Sequence, residues 1–497
     1  MHGLGWAVVI VYAGAVFLIG WLTSRNQSGT DEFFRGSRRL PWWALGISII
    51  ATAFSAASLL GGPGEGYGHG FLWLQLQLGD LIGYLLVCTF FLPLFARLDL
   101  TTAYEWLEMR FDAKTRSLAS IYFILFVVVR LGALLYGAAL VVAEVSDLSL
   151  PVSICIVGVV AVIYTVAGGL AAVVWTDVLQ WGVVMLGIGA CLFVVQSEVD
   201  GGLSQIIATA RAGGRWTLLD LSWNPQSIRA LPTAILAYGM LAFAVAGTNQ
   251  QSVQRYLACA DVRASRRAAM LAWGAGFIGV GGTLLLGVFL YAFYQAAPGH
   301  LAADVQPDRI LPIFIATELP AAVAGLLAAA IFAAAMSSCD SAMHSFSTCL
   351  VVDFYRRYFK RNAAETHYLR VARLLVLLSG AIGIISAFYV AGKGQSLLSF
   401  LATYTSYFVG PVLGLFLLGM WSPRANGHGA FWGACVAAGG LLLFNQLGPW
   451  KIPGVWFSAV SAPLTYVFGT LISLIVKRTP VPARPELSVA AAPARIL

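Results

Sequence analysis

The chain has 497 residues, of which 59% are hydrophobic and only 10% are charged, whereas soluble proteins average about 25% charged residues. This composition excludes a water-soluble globule, and apolar runs long enough to cross a bilayer recur from end to end. The sequence therefore predicts an all-α polytopic membrane protein. The net charge of +8 is informative only through its distribution between loops.

Thirteen transmembrane helices are predicted, and the first is expected to be retained, because it lacks the features of a cleavable signal peptide. They lie near residues 4–23, 42–62, 71–95, 117–146, 151–170, 178–197, 231–254, 269–295, 310–346, 372–391, 398–420, 429–448 and 454–476. Residues 1–478 are expected to form a single transmembrane domain. A disordered cytoplasmic tail, rich in Pro and Ala, is expected at 479–497.

Basic residues are concentrated in loops that lie on one side of the membrane when thirteen helices are counted. These loops follow helices 1, 3, 7, 9, 11 and 13, and their basic residues include Arg35, Arg38, Arg97, Arg116, Arg255, Arg263, Arg356, Arg357, Arg424 and Lys477. Loops rich in Lys and Arg stay in the cytoplasm. The N-terminus is therefore expected outside the plasma (inner) membrane and the C-terminus in the cytoplasm.

Two predicted helices are small and polar at mid-membrane depth. In helix 2, residues 51–58 have this character and are followed by the glycine-rich stretch 61–66, so its hydrogen bonding is expected to break in the second half. A packing kink is the alternative. Helix 7 carries a similar stretch at 244–251. The two helices lie five apart, as a five-plus-five inverted repeat with discontinuous helices requires.

Few other polar side chains lie inside the predicted helices. Arg130 is deep in helix 4, where it either pairs with an internal carboxylate such as Asp80 or faces an anionic ligand. Gln75 and Gln77 of helix 3 either line a cavity or join helices by hydrogen bonds. Asp177 lies at the start of predicted helix 6, and its structural explanation, as opposed to a functional one, is that it caps the helix N-terminus.

Residues 330–349 combine an apolar helix with serines and one carboxylate. At helical spacing Ala334, Ser337, Ser338 and Ser341 share a face, with Asp340 beside them. A carboxylate at bilayer depth costs about 2.5–3.5 kcal/mol, so it needs a compensating partner. A bound cation would supply one.

Several motifs together resemble the sodium:solute symporter family, the relatives of the bacterial proline, galactose and sialic acid carriers. The resemblance extends from about Asp31 to Trp432, and the motifs that carry it lie at 33–43, 101–111, 164–180, 335–342 with 353–355, and 410–419. It implies a five-plus-five inverted-repeat (LeuT-like) core of helices 2–6 and 7–11, at about 42–197 and 231–420. It also implies sodium-coupled symport by alternating access rather than an enzyme activity, with Na+ as the coupling ion.

The resemblance also implies the residues that bind sodium. The common site would use the backbone carbonyls of Ala51, Phe54 and Ala334 with the hydroxyls of Ser337 and Ser338. A second site beside it would use Asp177, Ser337, Asp340 and Ser341. Asp340 departs from the pattern of the sialic acid carriers, which have a serine there, so these two carboxylates either bind sodium more firmly or hold a proton.

The resemblance to the sialic acid branch implies an organic anion as the solute, with sialic acid or another monocarboxylate favoured. Arg130 would pair with its carboxylate, and Ser55, Ser58, Gln75 and Gln77 would line the same site. A sugar or another neutral solute is the alternative, although the positions that contact sugar in galactose-type carriers are Ala242, Val245 and Ala246 here. A transporter-fold sensor and a channel are less favoured. The expected partners are the solute, sodium ions and the lipid bilayer, without nucleic acid, for a protein that functions as a monomer.

Overall fold

The computed structural model describes residues 3–24, 30–146, 148–167, 169–302, 305–392, 397–448 and 450–476, which are mostly helical and contain no strand. The tail at 479–497 lies outside these residues. The helices are α1 Gly3–Ser24, α2 Thr30–Arg35, α3 Trp42–Ala53, α4 Ala56–His69, α5 Leu76–Leu86, α6 Leu92–Phe95, α7 Glu105–Arg110, α8 Ala113–Ser146, α9 Leu150–Ala167, α10 Leu170–Glu198, α11 Gly202–Ala212, α12 Leu231–Thr233, α13 Gly239–Thr248, α14 Gln250–Leu257, α15 Val262–Ala296, α16 Ile310–Thr317, α17 Ala321–Cys349, α18 Glu365–Ala391, α19 Leu397–Trp421, α20 Gly427–Leu447 and α21 Phe457–Ile475.

Eleven helices of the described chain are long and apolar enough to cross a bilayer, or twelve when the bent pair α3–α4 counts as one span. The predicted count of thirteen is not confirmed, because the apolar part of α9, Leu150–Ile163, is shorter than the others. The predicted ninth helix is also interrupted. Pro320 has an extended backbone (ψ 141°) and separates α16 from α17, since proline cannot continue a helix from the preceding turn.

The first broken helix is the pair α3–α4, whose halves meet at 66°. The helix stops at Phe54, which is extended (φ −83°, ψ 102°), and begins again after Ser55. A break was predicted in the second half of this helix, and the observed break lies there, before the glycine-rich stretch. That stretch lies inside α4, where its glycines permit close packing instead.

Glycines bring α4 and α15 into backbone contact. A Cβ on Gly66 would lie 2.2 Å from the carbonyl oxygen of Leu284, and one on Gly287 would lie 2.1 Å from that of Pro63. Such contacts between helices in a membrane need small residues, because the backbones approach each other closely. The glycine-rich stretch therefore fixes α4 against α15.

Gly287→Ala is expected to lower the stability of the folded protein by about 1–3 kcal/mol, because the new methyl group overlaps backbone that cannot rotate away. Thermal unfolding of the detergent-solubilised protein measures the change. The matched control is Gly274→Ala in the same helix, where a Cβ has no neighbour within 4 Å. Equal stability of the two variants would contradict the packing argument.

The second broken helix is α13–α14, interrupted at Asn249 (φ −74°, ψ 124°). The Asn249 side chain accepts a hydrogen bond of 2.9 Å from the Gln251 backbone N–H and so begins α14. The two breaks lie in the predicted helices 2 and 7. Because α14 runs on to Leu257, Arg255 lies inside it and is only 1% exposed. The prediction that Arg255 belongs to a basic loop is therefore wrong.

Three of the predicted basic loops meet on one face of the molecule. Arg35, after the first helix, pairs with Asp99 in the loop that follows predicted helix 3. Arg116 was predicted in the same loop but lies in the first turn of α8, where it pairs at 2.6 Å with Asp353, beyond α17. These ion pairs join segments far apart in sequence, so the basic loops after predicted helices 1, 3 and 9 share one surface.

Candidate functional site

The serine-rich part of α17 packs directly against the first helix break. Ser337 Oγ donates to the carbonyl oxygens of Ala51 at 2.8 Å and Ala334 at 3.2 Å, and Ser338 Oγ donates to the Thr52 carbonyl at 2.9 Å. Each of these residues is buried. The structure thus brings four of the five residues predicted for the common sodium site into one cluster of oxygen atoms.

Phe54, the fifth residue of that set, forms the break. The Phe54 N–H still donates to the Ile50 carbonyl at 2.7 Å. Among the described residues, no backbone N–H outside the helices donates to the Phe54 carbonyl. Its ring packs edge-on against Trp181, with centroids 5.4 Å apart. The interruption thus releases a backbone carbonyl from the helical hydrogen-bond pattern, and oxygen atoms are the ligands that hard cations prefer.

The second predicted set has an arginine at its centre. Arg255 Nη2 lies 3.2 Å from Asp177 Oδ2 and donates to Ser341 Oγ at 2.5 Å. Ser48 Oγ donates to the same Asp177 oxygen at 2.5 Å and accepts from Arg255 Nε at 2.6 Å. Asp177 and Arg255 are 0% and 1% exposed. A buried guanidinium therefore already occupies the side of Asp177 and Ser341 where a second sodium ion was predicted.

The positions of the two carboxylates, Asp177 and Asp340, differ from the sequence interpretation or extend it. Asp177 lies well inside α10, whose first residue is Leu170, so it is not an N-terminal cap. Its Oδ1 atom is buried without a hydrogen-bond partner among the described residues. Asp340 is fully buried on α17, near enough to Arg255 for their charges to interact. Asp177, Asp340 and Ser341 thus belong to one buried polar network.

A cavity of about 220 Å³ lies beside the break, between α3–α4, α5, α8, α13, α15 and α19. Its polar lining includes four of the five residues predicted to bind the solute, namely Ser55, Ser58, Gln77 and Arg130. Gln75 does not line it. The Gln75 side chain instead donates to the Arg229 carbonyl and accepts from the Asp220 N–H at 3.3 Å, and so binds the connection before α12.

Arg130 reaches from α8 to the broken helix. Its Nη2 atom donates to the Thr52 carbonyl at 2.9 Å, the same oxygen that accepts from Ser338. Its Nε atom is buried and has no hydrogen-bond partner among the described residues. The suggested ion pair between Arg130 and Asp80 is not found among the described residues. Asp80 Oδ2 instead accepts from Gln77 Nε2 at 3.0 Å. Arg130 thus keeps donor capacity in the cavity.

The sequence interpretation missed several residues of the cavity wall. Asp80 and Tyr84 line it together with Gln77, and all three lie on one face of α5. Tyr238 and Trp273 also line the cavity, and the Trp273 Nε1 atom donates to the Gln77 carbonyl at 3.0 Å. The i, i+3, i+7 spacing on α5 was visible in the sequence, but spacing alone does not reveal whether a face meets a cavity or another helix.

A helical membrane protein with two interrupted helices, oxygen atoms gathered at one break and a cavity beside it has the construction of a secondary transporter. The family model described as the sodium:solute symporter family matches residues 33–437, and the chain belongs to that family. It is therefore a sodium-coupled solute symporter and not an enzyme.

Similar proteins agree with this assignment. The chain is 32% identical to a sodium/sialic acid symporter of Proteus mirabilis, over 88% of this chain and 89% of that protein. It is 30% identical to a sodium/sialic acid symporter of Aliivibrio fischeri, over 86% and 85% of the two chains. The solved structure of a substrate-bound, outward-open Na+-coupled sialic acid symporter superposes with a TM-score of 0.87 at 28% identity, over 96% of this chain and 98% of that one. The predicted LeuT-like fold is confirmed.

Proposed function

We propose that this chain imports a small organic anion, sialic acid or another monocarboxylate, together with sodium. The observation that carries the proposal is Arg130, a guanidinium that lines the cavity and has a donor without a partner among the described residues. Guanidinium groups bind carboxylates through two parallel charge-assisted hydrogen bonds, which give both affinity and orientation. The sialic acid symporters named above are the relatives that favour this class of solute.

The α13 side of the cavity wall disfavours a neutral sugar of the galactose type. Ala242, Val245 and Ala246 line the cavity with aliphatic side chains on α13. A site for a neutral sugar instead needs several polar side chains that match its hydroxyl groups. Polar side chains are gathered elsewhere on the wall, at Ser55, Ser58 and Arg130 beside the helix break and at Gln77, Asp80 and Tyr84 on α5.

In the proposed cycle, sodium binds first at the common site, to Ala51, Phe54, Ala334, Ser337 and Ser338. It then holds α3 against α17 and favours the outward-open state that accepts the solute. One sodium ion carried with one monocarboxylate moves no net charge, so the sodium concentration gradient alone drives that uptake. Each additional sodium ion would add about 2.3 kcal/mol per 100 mV of membrane potential. A second sodium ion at Asp177, Asp340 and Ser341 requires Arg255 to move away from these oxygens.

The proposed orientation has the N-terminus outside and the C-terminus in the cytoplasm of the plasma membrane. Its support is the shared face of the basic loops, since such loops stay in the cytoplasm. The end of α21 lies near the loop after α19, where Asn426 Nδ2 donates to the Val476 carbonyl at 2.9 Å. Protection of a C-terminal tag in intact spheroplasts tests the orientation, and light scattering of the purified protein tests the proposed monomer.

Arg130→Ala is expected to raise the KM for the carboxylate solute about 30-fold or more. Truncating one member of a buried charge pair costs roughly 2–5 kcal/mol, and 2 kcal/mol corresponds to that factor. Sodium-driven uptake of radiolabelled solute into proteoliposomes measures the change. Sialic acid and pyruvate are the first solutes to compare.

Arg424→Ala is the control, because this exposed arginine lies outside the cavity. It should leave the KM unchanged. An unchanged affinity for the solute carboxylate in the Arg130 variant would overturn the proposed function, provided that this variant is folded and reaches the membrane.

A further inference from the structure

We infer that Asp80 forms a second recognition point in the cavity, which accepts hydrogen bonds from donor groups, hydroxyl or ammonium, on the part of the solute away from its carboxylate. This inference rests on the proposed function and narrows its substrate class. A monocarboxylate without hydroxyl or ammonium groups could form hydrogen bonds with Arg130 but not with Asp80. An acid that carries donor groups would satisfy both charged residues of the cavity.

The first argument is the geometry of the two charges. Asp80 on α5 and Arg130 on α8 line the same cavity, and no ion pair joins them in the described part of the chain. Arg130 is held at the helix break by Thr52, and Asp80 is held on its own helix by Gln77. Opposite charges kept apart within one cavity require a ligand with complementary groups at two places.

The second argument is the position of Asp80. One of its oxygens accepts from Gln77, and the other has no hydrogen-bond partner among the described residues. The side chain is half-buried at the cavity wall, so a ligand that covers it removes water from a charged group. A ligand with no donor leaves that carboxylate unsatisfied, which costs more than the hydrogen bond itself contributes.

The third argument is the rigid aromatic surround of this carboxylate. Tyr84 and Tyr238 lie near enough to Asp80 to feel its charge, and both line the cavity together with Trp273. Trp273 Nε1 donates to the Gln77 backbone carbonyl at 3.0 Å, which ties α5 to α15. Aromatic faces beside a carboxylate accept the apolar body of a polyol and attract an ammonium group.

The test compares binding to wild type and Asp80→Asn by isothermal titration of the purified full-length protein in sodium buffer. The probes are sialic acid with its hydroxyl groups, a zwitterionic amino acid with its ammonium group, and butyrate with neither. Wild type should bind one of the first two at least tenfold more tightly than butyrate. Asp80→Asn should lose most of that preference and change butyrate affinity less than twofold.

The control is Asp200→Asn, an exposed aspartate remote from the cavity, which should keep the wild-type preference. Loss of the preference for sialic acid alone identifies hydroxyl groups as the donors, and loss for the amino acid alone identifies ammonium. An unchanged preference in Asp80→Asn overturns the inference while Arg130→Ala still weakens all acids. Failure of every acid to bind wild type would instead overturn the proposed function.

Discussion

Replacing Ser337 and Ser338 together by alanine is expected to abolish the stimulation of solute uptake at sodium concentrations that just saturate the wild type. The two hydroxyls are the only side-chain oxygens in the proposed common site, whose other ligands are backbone carbonyls. Without them the ion keeps three carbonyl ligands, fewer than the oxygen shells that hard cations usually have in proteins. The sodium concentration for half-maximal uptake should rise at least about tenfold, which corresponds to roughly 1.4 kcal/mol.

The sodium dependence of uptake in proteoliposomes gives the measurement, and each single substitution should give a smaller shift. The matched control is Ser347→Ala on the same helix, since Ser347 is also fully buried but donates to the Ala372 carbonyl at 2.8 Å, away from the break. Normal sodium stimulation in the double variant would refute the common site. A loss of the same size in the control would point to a general effect on α17.

Removing either partner of the buried Asp177–Arg255 pair is expected to lower the stability of the protein by about 3–5 kcal/mol. The reason is that the remaining charge stays buried without its counterion. Asp177→Ala leaves the guanidinium hydrogen-bonded to Ser48, Ser341 and the Gln251 carbonyl, with Asp340 as a nearby charge. Replacing both residues with apolar ones of similar size, Asp177→Leu with Arg255→Met, should destabilise less than the two single changes added together.

Thermal unfolding in detergent, analysed as a double-mutant cycle, measures this coupling. A cycle of Arg356→Ala and Glu365→Ala provides the comparison, because these residues form an exposed pair at 3.8 Å that contributes about 1 kcal/mol or less. A coupling between Asp177 and Arg255 no larger than this would contradict the role assigned to the pair. The same variants also test the second sodium ion, since the sodium Hill coefficient reports how many ions bind cooperatively.

The sequence predicted the fold class and the existence of both helix breaks. Small polar residues at mid-membrane depth are typical of interrupted helices, whose free backbone groups lie against protein or a cavity. The sequence did not give the residue at which the first helix breaks. Glycine both weakens a helix and lets two helices approach, and only the partner helix decides between these effects. Gly66 and Gly287 lie at such a contact, so the glycine-rich stretch stays helical and the chain breaks earlier, at Phe54.

The candidate site was predicted in part, for a related reason. The serines of α17 share one helical face, and that face meets the break as expected. Arg255 was misassigned because helix 7 was predicted to end at residue 254, and a basic residue just beyond a helix end was assigned to the cytoplasmic loop. Its partner Asp177 is 78 residues away in sequence, and no local pattern connects them. Gln75 and Gln77 are equally polar, but one meets a connecting segment and the other meets the cavity.

The Thr52 carbonyl accepts hydrogen bonds from Ser338, in the proposed sodium site, and from Arg130, in the solute cavity. One peptide group therefore belongs to both sites, so a ligand that moves it changes the surroundings of the other. Thermodynamic linkage makes this influence reciprocal: the factor by which sodium raises the affinity for solute equals the factor by which solute raises the affinity for sodium. A carrier without solute then holds sodium less firmly, which limits futile entry of sodium when there is nothing to import.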